Sequence, residues 1–330
     1  MISIRNQSND PRFNLALEEY VFYHFNPDQE YVILWQNEPS VIVGRNQNTI
    51  EEINYKFIKE HNINVVRRMS GGGAVYHDLG NLNYTFIVNS DQDVSSNFKK
   101  FTEPVVSALA KLGVQAAFSG RNDITIDGRK FSGNAQHYAK NRLLHHGTIL
   151  FNSDLSVVQE ALNVKIDKLQ SKGIKSVRSR VTNVYPYLKE KITVDEFKDT
   201  LLKFILNDDE YKEKEYILTE ADLAAVNDLM NRKYQTWEWN YGESPAFEVE
   251  KSQRFEGGNL SLKFNVKAGV LQELRIFGDY FGRENTSDIE KLLINNQFQE
   301  QVIRKVLQSI EFGEYFTGIS IDNFIECMFY

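Results

Sequence analysis

Two arginines, a serine and three consecutive glycines follow a short apolar run in Arg67-Arg68-Met69-Ser70-Gly71-Gly72-Gly73-Ala74-Val75-Tyr76. Glycine permits φ > 0 and, lacking a Cβ, lets a ligand approach the main chain. Successive N–H groups in such a loop form an anion-binding concavity, and a neighbouring arginine can fork onto a phosphate or carboxylate. A plain turn between strands also uses glycine pairs. A turn alone does not account for paired arginines entering the loop and an apolar run leaving it, which favours the anion cradle. The Gly-Lys-Ser/Thr ending of a P-loop and the G-x-G-x-x-G spacing of a dinucleotide fold are both missing, so a nucleotide held here needs another architecture.

The second chemistry-bearing stretch is Arg121-Asn122-Asp123-Ile124-Thr125-Ile126-Asp127-Gly128-Arg129-Lys130-Phe131-Ser132-Gly133-Asn134-Ala135. Asp127-Gly128 between β-prone runs is a two-residue hairpin signal. The register it implies pairs Ile126 with Arg129, Thr125 with Lys130, Ile124 with Phe131 and Asp123 with Ser132. Opposed residues share a face, so Asp123, Thr125, Lys130 and Ser132 gather on one side. A solvated outer face gives the same alternation. The small residues Ser132-Gly133-Asn134-Ala135 leave room beside the lysine, which favours a site. Downstream, His145 and His146 are adjacent on a strand and point to opposite faces, which excludes a shared metal and suggests one buried, hydrogen-bonded histidine. Gly44-Arg45-Asn46-Gln47-Asn48 reads as a ligand loop or as a strand exit. Lys172-Gly173-Ile174-Lys175-Ser176-Val177-Arg178-Ser179-Arg180 reads as a solvated loop or as a segment that steers an acidic partner or phosphate.

The elements that must position these residues follow from period and punctuation. Strands are expected at 2–5, 31–35, 41–43, 63–66, 82–88 and 143–151, with the hairpin between 121 and 135. Asn9-Asp10-Pro11 caps a helix to about His24, with Phe13, Ala16, Leu17, Tyr20 and Val21 on one face. Further helices are expected over 50–61, over 94–112 with an interruption near Pro104, over 193–207 and over 219–232. Residues 237–247 read as a linker. Beyond it, alternation at Leu260, Leu262, Phe264 and Val266, a return over 270–277, a helix over 297–310 and a short tail suggest a small α+β domain. The expected boundary is therefore a domain over 1–240 and a linker with accessory domain over 241–330.

The chain has 330 residues, 42% hydrophobic and 25% charged, with a formal net charge of −7. That is long enough for two domains, and the acidic balance speaks against a general nucleic-acid or membrane-surface binder. One cysteine, Cys327, excludes an internal disulfide framework. With no apolar leader or membrane span, the expected location is the cytosol.

With these stretches in order, the chain resembles the lipoate–protein ligase A family essentially end to end. The resemblance is carried by Arg68-Met69-Ser70-Gly71-Gly72-Gly73-Ala74-Val75 with Tyr76-His77-Asp78-Leu79-Gly80-Asn81, by Asn122-Asp123 through Lys130-Phe131-Ser132-Gly133, and by His145-His146-Gly147-Thr148. The basic loop, the 237–247 linker and the small C-terminal domain add to it. It implies an α/β (α+β) fold: a mixed-sheet catalytic domain related to biotin ligases and class II aminoacyl-tRNA synthetases, with a small α+β C-terminal domain. It also implies a two-step reaction. Lipoate and MgATP give lipoyl-AMP and pyrophosphate, and a lysine of an acceptor (an apo lipoyl domain or the glycine cleavage H protein) then takes the lipoyl group.

By the resemblance, Arg68, Gly73, Ala74, Val75, Tyr76 and Lys130 bind ATP, and Lys130 is the catalytic residue. Ser70, Gly71, Gly72, His146 and Gly147 contact lipoate with Lys130. Asn122, Asp123 and Ser132 are secondary nucleotide or metal candidates, with Asp123 the candidate Mg²⁺ ligand. Where some members carry an arginine after the Ser-Gly pair, this chain has Gln136-His137, and no contact is carried over to that position. Two alternatives stand beside this reading. An acyltransferase of the same fold would use a cysteine thiolate, but Cys327 has no cationic neighbour in sequence to activate it. A non-enzymatic lipoyl-domain binder would show no pyrophosphate exchange. A biotin ligase lacks support, because its Gly-Arg-Gly-Arg loop is absent.

Overall fold

A computed structural model describes residues 1–89, 98–120, 122–162, 181–207, 212, 215–244, 247–280 and 282–330. The basic segment 172–180, Arg121, positions 94–97 of the expected second long helix, and Pro245 and Ala246 of the expected linker lie outside the described residues. The chain divides into two compact units, one of Met1–Arg45 with His61–Thr236, the other of Asn46–Glu60 with Trp237–Tyr330.

The first unit is built on strands β1 (Ile2–Arg5), β2 (Tyr31–Trp35), β3 (Ser40–Val43), β4 (Asn64–Arg67), β5 (Val75–His77), β6 (Asn81–Asn89), β7 (Ala117–Ser119), β8 (Asp123–Ile126), β9 (Arg129–Ala139), β10 (Arg142–Leu150) and β11 (Tyr216–Ile217). Eight of them form a mixed sheet in the order β11-β1-β2-β6-β10-β9-β8-β7, parallel at β11-β1-β2 and antiparallel beyond. A separate sheet, β4-β3-β5, carries the glycine loop between its outer strands. The mixed α/β class matches the expectation.

Alternate positions of β2, β6 and β10 meet different surroundings, as the two-residue period of a strand requires. Leu34, Tyr84, Phe86, Leu143 and Ile149 join Phe101, Val105 and Leu109 of helix Phe98–Lys111, and Phe197 and Leu201 of helix Val194–Leu206, in one apolar core. The intervening positions carry Trp35, Asn83, Thr85, His146 and Thr148 toward the other face. Pro104 does not interrupt its helix. The packing of Phe101, Val105, Ala108 and Leu109 outweighs the one backbone bond a proline removes. Helix Pro11–His24 starts where Asp10 accepts from Arg12 N at 2.8 Å. Of the apolar face read from the sequence, Ala16, Leu17 and Val21 are buried. Asn14, Leu15, Leu17, Glu18, Val21 and Phe22 are buried, whereas Phe13 and Tyr20 are only half-buried.

The hairpin turn forms at Asp127 and Gly128, both with positive φ (50° and 73°), as the sequence predicts. Its register is corrected by a bulge. Ile126 pairs with Arg129 and Thr125 with Lys130, but Ile124 then pairs with Ser132 and Asp123 with Gly133. The extra residue lets the apolar Phe131 stay fully buried in the core, and it turns Ser132 away from Lys130 toward Tyr84 and Asn134.

The second unit holds a three-stranded antiparallel sheet of β12 (Phe247–Phe255), β13 (Gly258–Lys267) and β14 (Val270–Gly278). Helices Ser287–Leu293, Glu300–Leu307 and Ile321–Phe329 join it. β12 was not anticipated, and the expected tail is instead a helix capped reciprocally by Ser320 and Asn323. Its core joins Leu260, Leu262 and Phe264 to Ile303, Phe324 and Met328, with Ile50 and Tyr55 packed against it. Residues 46–60 therefore belong here, as two short helices (Thr49–Glu52 and Tyr55–Glu60) rather than one. Lys59 Nζ reaches both oxygens of Glu300, at 3.0 and 2.8 Å, and Tyr330 Oη at 2.9 Å. Thr49 donates to Asn240 O at 2.6 Å. Among the described residues no helix is long and apolar enough to cross a membrane.

Candidate active site

One ladder of residues crosses the polar side of the large sheet. Trp35 pairs with Asn83 and Asn83 with Thr148. Thr148 stands beside Gly133, whose N–H donates to its Oγ1 at 3.2 Å, and Gly133 pairs with Asp123. At about 4.8 Å per strand, the four steps from Trp35 to Asp123 span roughly 19 Å. A cleft of about 140 Å³ lies along this ladder. It is lined by Leu15, Trp35, Ile42, His77 and Asn83, by Arg68 and Gly72–Val75, and by Asn122, Lys130, Gly133–Ala135 and His146–Thr148.

Lys130 stands at the β9 end. Its Nζ lies 2.7 Å from Asp123 Oδ1, and both side chains are partly exposed. The ammonium folds over Gly133, where a Cβ would sit 2.8 Å from Nζ. Glycine at that position is what lets the lysine lie flat along the strand. Asn122 is fixed nearby by donating to Asn134 O at 2.7 Å. Asp123 offers a lone carboxylate already shared with a lysine. That donor set suits Mg²⁺ delivered with nucleotide phosphates, which needs one or two carboxylates beside substrate oxygens and water. Among the described residues no group of three or more His, Cys, Asp or Glu is placed to hold a metal.

The glycine loop is held open by the two arginines. Arg68 is buried and donates to Ser70 Oγ (3.0 Å), Ile42 O (3.0 Å), Gly71 O (2.7 Å) and Gly73 O (2.9 Å). Arg67 donates to Gly44 O and Arg45 O at 2.9 and 3.0 Å. Carbonyls drawn inward leave the exposed Gly72 and Gly73 facing outward, with Gly72 at φ 96°. Gly44 must be glycine, because a Cβ there would meet Gly72 O at 2.1 Å. Desolvation lowers Arg68 to about 10, opposed by the charge of Glu18, so the guanidinium stays cationic at neutral pH.

Behind the loop runs a second set of buried bonds. Ser70 Oγ lies 2.6 Å from His146 Nε2, and His146 Nδ1 lies 3.0 Å from Glu18 Oε1. Glu18 also accepts from Thr85 Oγ1, which takes Trp35 Nε1–H at 2.8 Å. Beside the Glu18 carboxylate, His146 Nδ1 carries a proton, and Nε2 faces the Ser70 Oγ that accepts from Arg68 Nε. His145, on the opposite face, is bonded to Gln136 (3.1 Å) and Asn134 (3.2 Å) and stacks on Phe101. Desolvation and then His146 push His145 down to about 3. Both histidines are thus buried and bonded, one more than the sequence suggested.

Most of the expected residues come together at the cleft. Arg68, Gly72, Gly73, Ala74, Val75, Asn122, Lys130, His146 and Gly147 line it. Gly147 does so with its backbone; its missing side chain is required by Tyr84 and Asn134 on the other face, 2.5 and 2.2 Å from a Cβ. Ser70 and Gly71 support the loop from behind through Arg68. Tyr76 is buried in β5 opposite Val41, and desolvation raises it to about 12. Ser132 faces away, as the bulge dictates. Trp35, Glu18, Asn83 and His77 were not singled out. The available signal was Glu18, an acidic residue on the buried stripe of a helix; the others depend on strand pairing over long separations.

A family model described as the lipoyl protein ligase A/B catalytic domain matches residues 10–206, and one described as the bacterial lipoate protein ligase C-terminus matches 244–328. The chain is 50% identical to the lipoate-protein ligase LplJ of Bacillus subtilis over the full length of both. It is 46% identical to lipoate–protein ligase 1 of Staphylococcus aureus over 98% of each. Among solved structures it is similar to a lipoate-protein ligase A bound with ATP (29% identity, TM-score 0.63, covering 73% of this chain and 98% of that one). It is also similar to P. falciparum LipL1 in complex with lipoate (26% identity, TM-score 0.62, covering 98% and 97%). Matched from end to end and carrying the arginine-braced glycine loop opposite a strand-borne lysine, the chain belongs to the lipoate–protein ligase family.

Proposed function

We propose that this protein activates lipoate with MgATP and transfers the lipoyl group to a specific lysine of acceptor proteins, apo lipoyl domains of 2-oxoacid dehydrogenase subunits and the glycine cleavage H protein among them. The observation that carries the reading is Lys130, held over Gly133 and 2.7 Å from Asp123, in a cleft shared with a glycine loop. The ATP-bound and lipoate-bound relatives, and an archaeal ligase solved in a study with its E2 lipoyl domain, support it.

A carboxylate does not acylate an amine without a leaving group. In the first step a lipoate oxygen bonds to the α-phosphorus of ATP and the bond to pyrophosphate breaks. Charge accumulates on the α-phosphate oxygens, where a positioned cation and backbone donors stabilise it without reorganising. Lys130 supplies the cation, touching both the acid carboxylate and the α-phosphate. The Gly73–Tyr76 backbone takes the nucleotide, Arg68 keeps that loop shaped and positive, and Asp123 takes the Mg²⁺ of the substrate. In the second step the acceptor amine attacks the lipoyl carbonyl, AMP leaves with the bonding pair, and the amine proton passes to solvent.

A thiol route finds no such support. Cys327 is buried against Leu260 O at 3.5 Å, and burial pushes its thiol up to about 11. The test is lipoate-dependent exchange of labelled pyrophosphate into ATP, followed by the mass of an apo lipoyl domain. Exchange and the mass gain of one lipoyl group are expected; their joint absence with properly folded protein overturns the reading.

A further inference from the structure

The strand that carries Lys130 leaves the large sheet partway along its length. β10 stays paired with β6 from Arg142 opposite Asn89 to Leu150 opposite Asn81, without a shift of register. Its ladder with β9 runs only from Arg142 opposite Ala139 to Gly147 opposite Asn134. β10 is therefore the fixed rail, and β9 departs from it with β8 still paired on its outer side. Residues 181–185 fill the gap beyond the split. Thr182 N–H donates to Lys130 O at 2.9 Å, Arg129 Nη2 to Val181 O at 2.8 Å, and Val184 N–H to Leu150 O at 2.8 Å. Lys130 and Asp123, 2.7 Å apart, both sit on the departing hairpin. The point at which that hairpin diverges sets where the ammonium stands in the cleft.

One side chain closes the apex of the fork. Gly133 is the β9 residue next to the end of the ladder, and its N–H donates to Thr148 Oγ1 at 3.2 Å; the same hydroxyl lies 3.5 Å from Gly133 O. A side-chain oxygen stands where the ladder would have offered a main-chain acceptor. Threonine suits the place, because two substituents on Cβ restrict χ1 and present Oγ1 in a defined direction. Gly133 is also the residue over which Lys130 folds, with Nζ 2.8 Å from the position of a Cβ, and the residue that pairs with Asp123. Thr148, Gly133 and Lys130 all line the cleft. A hold on the Gly133 amide is thus a hold on the lysine. Resting on the acid-activation reading above, we infer that Thr148 is a positioning residue, whose hydroxyl fixes the Gly133 amide and through it the placement of Lys130 for adenylation. In-line attack is sensitive to that placement, since a displacement of about 1 Å can cost about 10²-fold in rate.

The test measures kcat and KM in lipoate-dependent pyrophosphate exchange on the full-length chain. Thr148→Val keeps the shape and deletes the acceptor; it should lower kcat on the order of tenfold while KM for ATP and for lipoate stays within about twofold. Thr148→Ser, which restores the hydroxyl on a smaller side chain, should recover most of the rate. In a Lys130→Ala background Thr148→Val should cost less than about twofold, because the group being positioned is gone. A purely structural role predicts the opposite on two counts: no recovery with serine, and the same loss in both backgrounds. Either of those results overturns the inference, as does an unchanged kcat in a folded Thr148→Val variant. If the valine variant does not fold, Thr148→Ala against Thr148→Ser replaces it, with the same gap in kcat expected and equal rates overturning the inference. Absence of exchange by the wild type overturns the acid-activation reading, and this inference with it, so the two failures are distinguishable.

Discussion

The polar residues packed around the cleft of the first unit and the interior of the second are both withdrawn from water, but by opposite means. Around the cleft, Glu18, Arg68, Ser70, His77, Asn83 and Thr85 are each at most 5% exposed, and each is bonded to another of the group or to a backbone carbonyl. In the second unit Leu262, Phe264, Ile303 and Phe324 fill the same kind of space with hydrocarbon. Apolar burial is stabilised by area and tolerates changes of shape; a buried polar group is tolerable only while its partners stay in place. The first interior is specified by direction and the second by volume.

The largest effect expected from breaking this contrast is on chemistry alone. Lys130→Ala should lower lipoate-dependent pyrophosphate exchange by about 10²–10³-fold, the usual effect of deleting one positioned charge-stabilising group, with little change in the unfolding midpoint. Lys130→Arg should fail nearly as badly, since a planar fork does not replace a point charge. Near-normal exchange by the alanine variant would remove Lys130 from the mechanism.

Next comes a matched pair of variants. Arg68→Lys leaves several loop carbonyls without their donor and should cost about 2–3 kcal/mol in denaturant unfolding while also suppressing exchange. Leu262→Ala should cost a comparable 2–5 kcal/mol yet leave exchange near normal below its melting point. Equal loss of activity in both would collapse the distinction between the two interiors.

The pH response sharpens it further. His77 and His145 are held at about 3 in the folded protein, against 6.5 for a free histidine. Between those values the unfolded chain binds more protons, so stability rises with pH: it is complete above about 6.5 and is lost as pH falls toward 3. Each ring contributes a slope of up to about 1.4 kcal/mol per pH unit. Urea unfolding at pH 7, 6, 5 and 4 checks this, and His145→Gln should flatten the slope. A flat profile in the wild type would mean that the rings are not held neutral. The smallest effect is expected at the thiol. Cys327→Ser should keep full exchange and transfer and lose about 1–2 kcal/mol, and a hydroxylamine-sensitive acyl group on Cys327 would revive a thioester route.

What could be read from the sequence was whatever is local. The Asp127-Gly128 turn, the cap at Asp10, the opposite faces of His145 and His146, and the glycine loop with its arginines are each set by a few neighbouring residues. The bulge at Phe131 was not readable, because it arises from competition between a core that takes Phe131 and a ladder that would have placed it opposite Ile124. The amide chain from Asn6 to His77 joins four segments and has no pattern in any one of them. The boundary expected at 240 presumed that sequence neighbours pack together. In the structure Thr49 bonds to Asn240 and Lys59 to Glu300, so a cut there would strip residues 46–60 of their partners.

The same stitching sets a schedule for the nascent chain. Ile4 on β1 waits for its parallel partner Tyr216, so the edge of the large sheet stays unpaired for most of synthesis. Tyr55 and Lys59 wait longer still, for Phe329 and Tyr330. Contacts of such separation form slowly, and exposed edges on a ribosome-bound intermediate invite association. Until its last helix is released, residues 46–60 trail as an amphipathic segment without its proper cover. Expression should therefore depend on chaperone supply more steeply than the stability of the finished protein would suggest.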